Sequence, residues 1–187
     1  MVTAPASPFR AVFRGLRRLA GRIGVLFLDT VNCVNLGLLG ALVAASPAQG
    51  RDSLGVFDAW GAFRDPGVPR CYAIARSERH GGASGFATVG TWPRARVRGQ
   101  VHFHLSRVAA PGARIDLRIG GQSLPLVGGG NQAWAPDARG DAAVLAAMRS
   151  AERMTVLVHG GGGFADSYVL AGAASAMDAA LVGCAGG

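Results

Sequence analysis

The sequence predicts a mainly β protein, a sandwich or barrel with one or two short helices packed on its edge. Three observations predict it. Short apolar stretches alternate with period two, glycine-rich turns separate them at regular spacing, and helical periodicity appears only late in the chain. No period of 20–50 residues repeats, which excludes a solenoid.

Each element follows in order. "VFDAWGAF", Val56 to Phe63, alternates large and small apolar residues and reads as one strand before the "DPG" turn at Asp65–Gly67. "RCYAIAR", Arg70 to Arg76, is a compact apolar strand; "ERHGGASG" is a loop; "FATVGTW", Phe86 to Trp92, resumes the β pattern. Val101 to Ser106 alternates cleanly, as does "ARIDLRIGG", where Ile115, Leu117 and Ile119 oppose Arg114, Asp116 and Arg118. Gly120-Gly121 then forms a two-residue turn into "QSLPLVGGG". In "PDARGDAAVLAAMRSAERM" Asp141 is the expected cap for a helix from Ala142 onward, with Val144, Leu145 and Met148 on one face. "TVLVHG" and "FADSYVL" flank four glycines as a hairpin, and "AGAASAMDAALVGC" reads as a short terminal helix ending near Gly183-Cys184.

Half of the 187 residues are hydrophobic, enough to bury a core, which argues against disorder. All 19 basic residues are Arg, and Ala and Gly are also abundant. That combination is the mark of GC-rich codons, so Arg content by itself is no nucleic-acid signal. The net charge of +8 divides evenly. Residues 1–48 hold five Arg against Asp29, and residues 49–187 hold 14 Arg against 10 acids, +4 in each part. A mild excess with interleaved acids suits weak attraction to anionic surfaces and disfavours a nucleic-acid partner.

The first 48 residues read as an address. Five Arg between Arg10 and Arg22 precede an apolar stretch that ends in Ser46-Pro47-Ala48, small residues of the kind a signal peptidase reads. The expectation is a signal peptide cleaved after Ala48; the alternative is an uncleaved N-terminal membrane anchor, against which Asp29 counts. Residues 49–187 then form the β domain, periplasmic or secreted, and membrane contact comes only through an uncleaved N-terminal segment. Cys33 leaves with the signal, and Cys71 and Cys184 remain as an even pair in an oxidising compartment. A bridge between them is expected; the alternative is two separate buried thiols.

"FDAWGAF", then "CYAIA", then "DAAVLAAMRSAERMTVLV" and "FADSYVLAGAASAMDAALVGC" resemble the invasion-associated locus B family of exported bacterial proteins, over most of residues 55–184. The resemblance implies a signal peptide and an immunoglobulin-like antiparallel β-sandwich without known catalytic residues. The chain departs from the family pattern: Gly61-Ala62-Phe63 follow Trp60 where a further Cys is usual, and the middle of the chain is Cys-free. It would be a divergent member.

Candidate site residues cluster in "WPRARVRGQVHFHLSR", Trp92 to Arg107. Arg94, Arg96, Arg98, Gln100, His102, His104 and Ser106 take even positions while Val97, Val101, Phe103 and Leu105 take odd ones. On one strand the polar set would share a face. That face is the ordinary wet side of a sheet, or a polyanion- or partner-binding face extended by Arg107, Arg114 and Arg118, or a metal site built on His102-x-His104. A metal would need a third ligand from His159, Asp116 or His80. Catalytic motifs are poor. There is no G-x-S-x-G elbow and no C-x-x-C, "GGGNQ" lacks a following Lys-Ser/Thr, and "HGGGGF" reads as a turn. Trp134, beside Gly130-Asn131, is worth attention if exposed.

The expectation is a non-catalytic exported module without cofactor or bound metal. It would bind an anionic envelope glycolipid or a protein partner through Arg94, Arg96, Arg98, His102, His104 and Arg118. The rival is a metal-dependent or hydrolytic enzyme that gathers His102, His104 and His159 in one pocket.

Overall fold

A computed structural model describes residues 50–78 and 82–185 of the chain. The signal or anchor expected over residues 1–48, with Cys33, and the candidate ligand His80 lie outside the described residues. Among the described residues nine strands follow one another: β1 Asp52–Phe57, β2 Trp60–Asp65, β3 Arg70–Arg76, β4 Phe86–Trp92, β5 Val97–Ala109, β6 Ile115–Ile119, β7 Gln122–Trp134, β8 Arg153–Val158 and β9 Phe164–Val169. Two helices join them, α1 Ala138–Met148 between β7 and β8 and α2 Ala173–Gly183 after β9. All pairings are antiparallel, in the order β1-β2-β3-β4-β5-β7-β6-β8-β9. The fold is mainly β, sandwich-like, with two short helices.

The long strand β7 divides the sheet in two. Its C-terminal half pairs with β5, and its N-terminal half pairs with β6. The first sheet is therefore β1 to β5 plus the end of β7; the second is the start of β7 with β6, β8 and β9. Between the halves lies Gly128-Gly129-Gly130. A Cβ on Gly128 would stand 2.2 Å from the Gln132 carbonyl oxygen, so only glycine allows the strand to turn there. The inner faces meet in a single core. The Phe103 and Tyr168 rings lie 6.0 Å apart across it, and buried Trp60 donates its Nε1–H to the Val169 carbonyl at 2.9 Å.

Small residues line the inside of the first sheet: Ala62, Cys71, Ala73, Ala75 and Ala87 are all buried. They leave room for α2, which packs on β1, β2 and β3 through Ala173, Ala176, Met177 and Ala180. The Cys71–Cys184 disulfide, closing 113 residues, fastens the end of that helix to β3. α1 lies against β5 and β6, with Val144 and Met148 in the core, and the Arg149–Asp178 ion pair links it to α2. One polar pair is deeply buried. Asp166 accepts from the Ser106 amide at 2.8 Å beside the Tyr168 hydroxyl, and burial holds that phenol far above its ordinary range. Among the described residues no helix is long and apolar enough to cross a membrane.

Two expectations are corrected. "VFDAWGAF" is not one strand: Asp58 and Ala59 form a tight turn, with Asp58 at φ 47°, and the segment becomes the β1–β2 hairpin. Asp tolerates the left-handed region, which a reading based on hydrophobic alternation does not register. Val56 is consequently exposed while Trp60 is fully buried. The second correction is at α1, which begins at Ala138. Asp137 caps it, accepting from Gly140 N at 2.7 Å, while the Asp141 carboxylate accepts from the backbone N–H of Val101 at 2.8 Å. Asp141 thus ties the helix to β5 instead of starting it; burial pushes its carboxyl up, and the bond to Val101 opposes that.

Candidate functional site

Side chains on the outer face of the first sheet fall into cross-strand rows, because the registers of β2 to β5 and β7 are in phase. One row runs Phe63, Tyr72, Gly90, Gln100. The next runs Ile74, Thr88, His102, Trp134. A third runs Phe86, His104, Gln132. Strand alternation turns Ala73, Ala87, Val89, Val101, Phe103 and Ala133 inward, where all are buried, so this face carries the aromatic and polar partners. Gly90 has a specific role: the Trp92 ring lies over it, and a Cβ there would come within 2.5 Å of that ring.

The result is an open trough of about 550 Å³, lined by these rows from β3 to β7 and by Arg51, Arg70 and Trp92. Its walls are rings: His102 stacks on Trp134 at 5.1 Å, Phe86 tilts against His104, and the Arg70 guanidinium sits 4.9 Å over Tyr72. Its polar groups form a chain. Thr88 Oγ1 donates to the His102 carbonyl, His102 Nε2 meets Gln132 Oε1, and Gln132 Nε2 reaches His104 Nδ1 at 3.0 Å.

This chain assigns the tautomers. The amide oxygen of Gln132 needs a donor, so His102 carries its proton on Nε2. The amide nitrogen of Gln132 donates, so His104 accepts at Nδ1 and carries its proton on Nε2. Asn131 Nδ2 lies 3.4 Å from His104 Nε2. Burial lowers the His102 pKa; the bond to Gln132 opposes this and the nearby His104 adds to it.

Only part of the expected polar comb is present. Arg94 lies in a short 3₁₀ turn, Pro93–Ala95, and Arg96 closes it in the left-handed conformation at φ 55°, so neither stands on the strand. Arg98 precedes Gly99, which at φ 70° accompanies an irregularity in the β4–β5 register and breaks the alternation. Ser106 is buried where the β5–β7 register is irregular, and its amide meets Asp166 of β9. Gln100, His102 and His104 are what remain in the trough. The other Arg residues expected on this face do not join them. Arg107 lies over Phe164 and donates to Gly163 O, Arg114 binds Asp116, and Arg118 is exposed on β6 of the second sheet.

His159 belongs elsewhere too: its Nε2 stands 2.8 Å from Asp116, on the Arg114 side of the second sheet. The structure therefore brings His102 and His104 together and seats His159 apart from them. Among the described residues no three His, Cys, Asp or Glu side chains are grouped to hold a metal ion.

Several residues of the trough were not singled out from sequence: Tyr72, Phe86, Thr88, Trp92, Gln132. A signal existed for some. Phe86, Thr88, Gly90 and Trp92 share even positions in β4 against Ala87 and Val89, the same parity as the histidines in β5. Parity within one strand says nothing about which strand lies beside it, so the rows become visible only through the pairing. Compared with protein-family models, curated proteins and solved structures, the chain finds no match in any of the three.

Proposed function

We propose that this protein is an exported, non-catalytic envelope module of the invasion-associated locus B type, and that it captures its partner in the trough on the first sheet. The observation that carries this reading is the trough itself. Aromatic rings, imidazoles and amides from four strands are aligned in register and joined by hydrogen bonds on one concave face. Such a face offers orientation-specific contacts over a large area. Among the described residues neither helix packs over it: α2 lies on the inner side, and α1 against β5 and β6.

The disulfide and the Arg-rich, apolar N-terminus that ends in small residues support export. The enzyme alternative needs His102, His104 and His159 in one pocket, and the separation of His159 counts against it.

Two of the three tryptophans, Trp92 and Trp134, line the trough, so intrinsic fluorescence reports its occupancy. The test titrates the protein with separated lipid, polysaccharide and protein fractions of a bacterial envelope. One fraction should shift the emission, and the shift should vanish in a Trp134→Ala variant that keeps its melting midpoint. A partner whose binding survives Trp134→Ala and His102→Ala together removes the trough from the reading.

A further inference from the structure

We infer that the ligand of the trough is a carboxylate-bearing saccharide, a chain of uronic-acid type; the inference rests on the binding reading above. Three features of the site point to this class.

The first is the mode of contact. Most of the trough lies over β3, β4 and β5, interior strands of the first sheet whose backbone groups pair with neighbours on both sides, with the end of β7 as its rim. Over that floor recognition falls to side chains and not to backbone pairing with an extended peptide. The second is the chemistry of those side chains. A pyranose ring has apolar C–H faces and a rim of hydroxyls that both donate and accept. The Trp134 and Trp92 rings supply flat apolar surfaces, and each is partly exposed. Gln100 and Gln132 amides, the Thr88 hydroxyl and the His104 imidazole supply donors and acceptors between the rings. A lipid acyl chain would leave this polar row unpaired on binding.

The third feature is charge. Arg51 and Arg70 line the trough, and among the described residues no carboxylate does. Arg70 has hydrogen-bonding capacity to spare. Its Nε is buried without a partner, and Nη2 reaches Asp65 at only 3.5 Å. A modest swing onto a ligand carboxylate would give the guanidinium the two-pronged contact that its present neighbours do not. A neutral sugar would fill the ring surfaces and leave that capacity unused; an acidic one uses both.

The test titrates the full chain, purified with Cys71–Cys184 closed, by fluorescence and calorimetry. Three probes are compared: oligogalacturonate, the same oligomer fully methyl-esterified, and vesicles containing phosphatidylglycerol. Oligogalacturonate should bind about tenfold or more tightly than its ester, the scale of one charge-assisted bidentate contact. Arg70→Gln should erase that preference, so that acid and ester bind the variant alike. Trp134→Ala should weaken both sugars at least about tenfold.

Equal binding of acid and ester overturns the carboxylate assignment. No response to either sugar at millimolar concentration, with the thermal midpoint intact, overturns the saccharide assignment altogether. In that case vesicle binding abolished by Trp134→Ala keeps the trough as a binding site for another ligand. Binding indifferent to Trp134→Ala removes the site as well.

Discussion

At His102 burial opposes protonation. The ring is half-buried between Trp134, Thr88 and Gln132, with His104 close enough to add a repulsive contribution when both are charged. Its folded-state pKa therefore lies below the 6.5 expected of the unfolded chain. Between those two values the unfolded chain binds more protons, so the stability His102 confers is fully present above pH 6.5 and is lost as the pH falls from there through the lowered folded-state pKa. Urea midpoints measured from pH 7.5 down to pH 5 should thus fall more steeply for the native protein than for His102→Gln, which cannot take up the proton. Parallel curves for the two proteins would mean that His102 titrates as freely folded as unfolded.

The same residue was legible in the sequence as a polar position facing His104, since period-two alternation is local. Its stacking on Trp134 was not. The two residues are 32 positions apart and meet only because β5 and β7 pair with His102 opposite Trp134.

Among the elements, α1 shows how a cap is chosen. Two aspartates stand near its start, and either matches the preference for a short acceptor at a helix N-terminus. Asp137 satisfies the Gly140 amide, while Asp141 turns outward to the β5 backbone. Asp137→Ala should then cost about 1 kcal/mol, within the 0.5–2 kcal/mol range of such caps, read from the urea midpoint. A loss below a few tenths of a kcal/mol would mean that the helix start is held by its packing and not by the cap.

β5 makes the complementary point. It reads as one uniform comb from Arg94 onward, yet a 3₁₀ turn removes its first two arginines, Gly99 interrupts the alternation, and its register with β7 shifts after His104. Turn and bulge chemistry, carried by Pro93 and Gly99, overrides the alternation there. Helix α2 ends where the sequence predicts, because Gly183-Cys184 closes it locally.

For the whole molecule, the disulfide is the main covalent constraint on a domain whose first sheet has an alanine-rich inner surface. Cys71 is fully buried on β3, and Cys184 follows α2 directly, so the bridge fixes the helix over that surface. In the chain-entropy account, closing 113 residues stabilises by about 4–5 kcal/mol, less any strain. The Cys71→Ala/Cys184→Ala double variant should lose a comparable amount in urea unfolding, and reductant should lower the native protein toward the same midpoint. If reduction leaves the midpoint within about 1 kcal/mol, the packing of Ala173, Ala176, Met177 and Ala180 holds α2 unaided.

What the sequence by itself determined is what is encoded locally or by count. That covers the mainly β class, the alternation that turns Val101, Phe103 and Leu105 inward, the β8–β9 hairpin, the terminal helix, and the expected pairing of Cys71 with Cys184. What only the tertiary structure decided is which polar residues share a surface. Thr88, His102 and Trp134 form one row because the neighbouring strands β4 and β5 align in register with the more distant β7. Arg118 and His159 are set apart from them because β7 folds the sheet over at its glycines. Register and sheet closure arise from long-range pairing and core packing, and a one-residue slip in either would turn a different set of side chains to the outside.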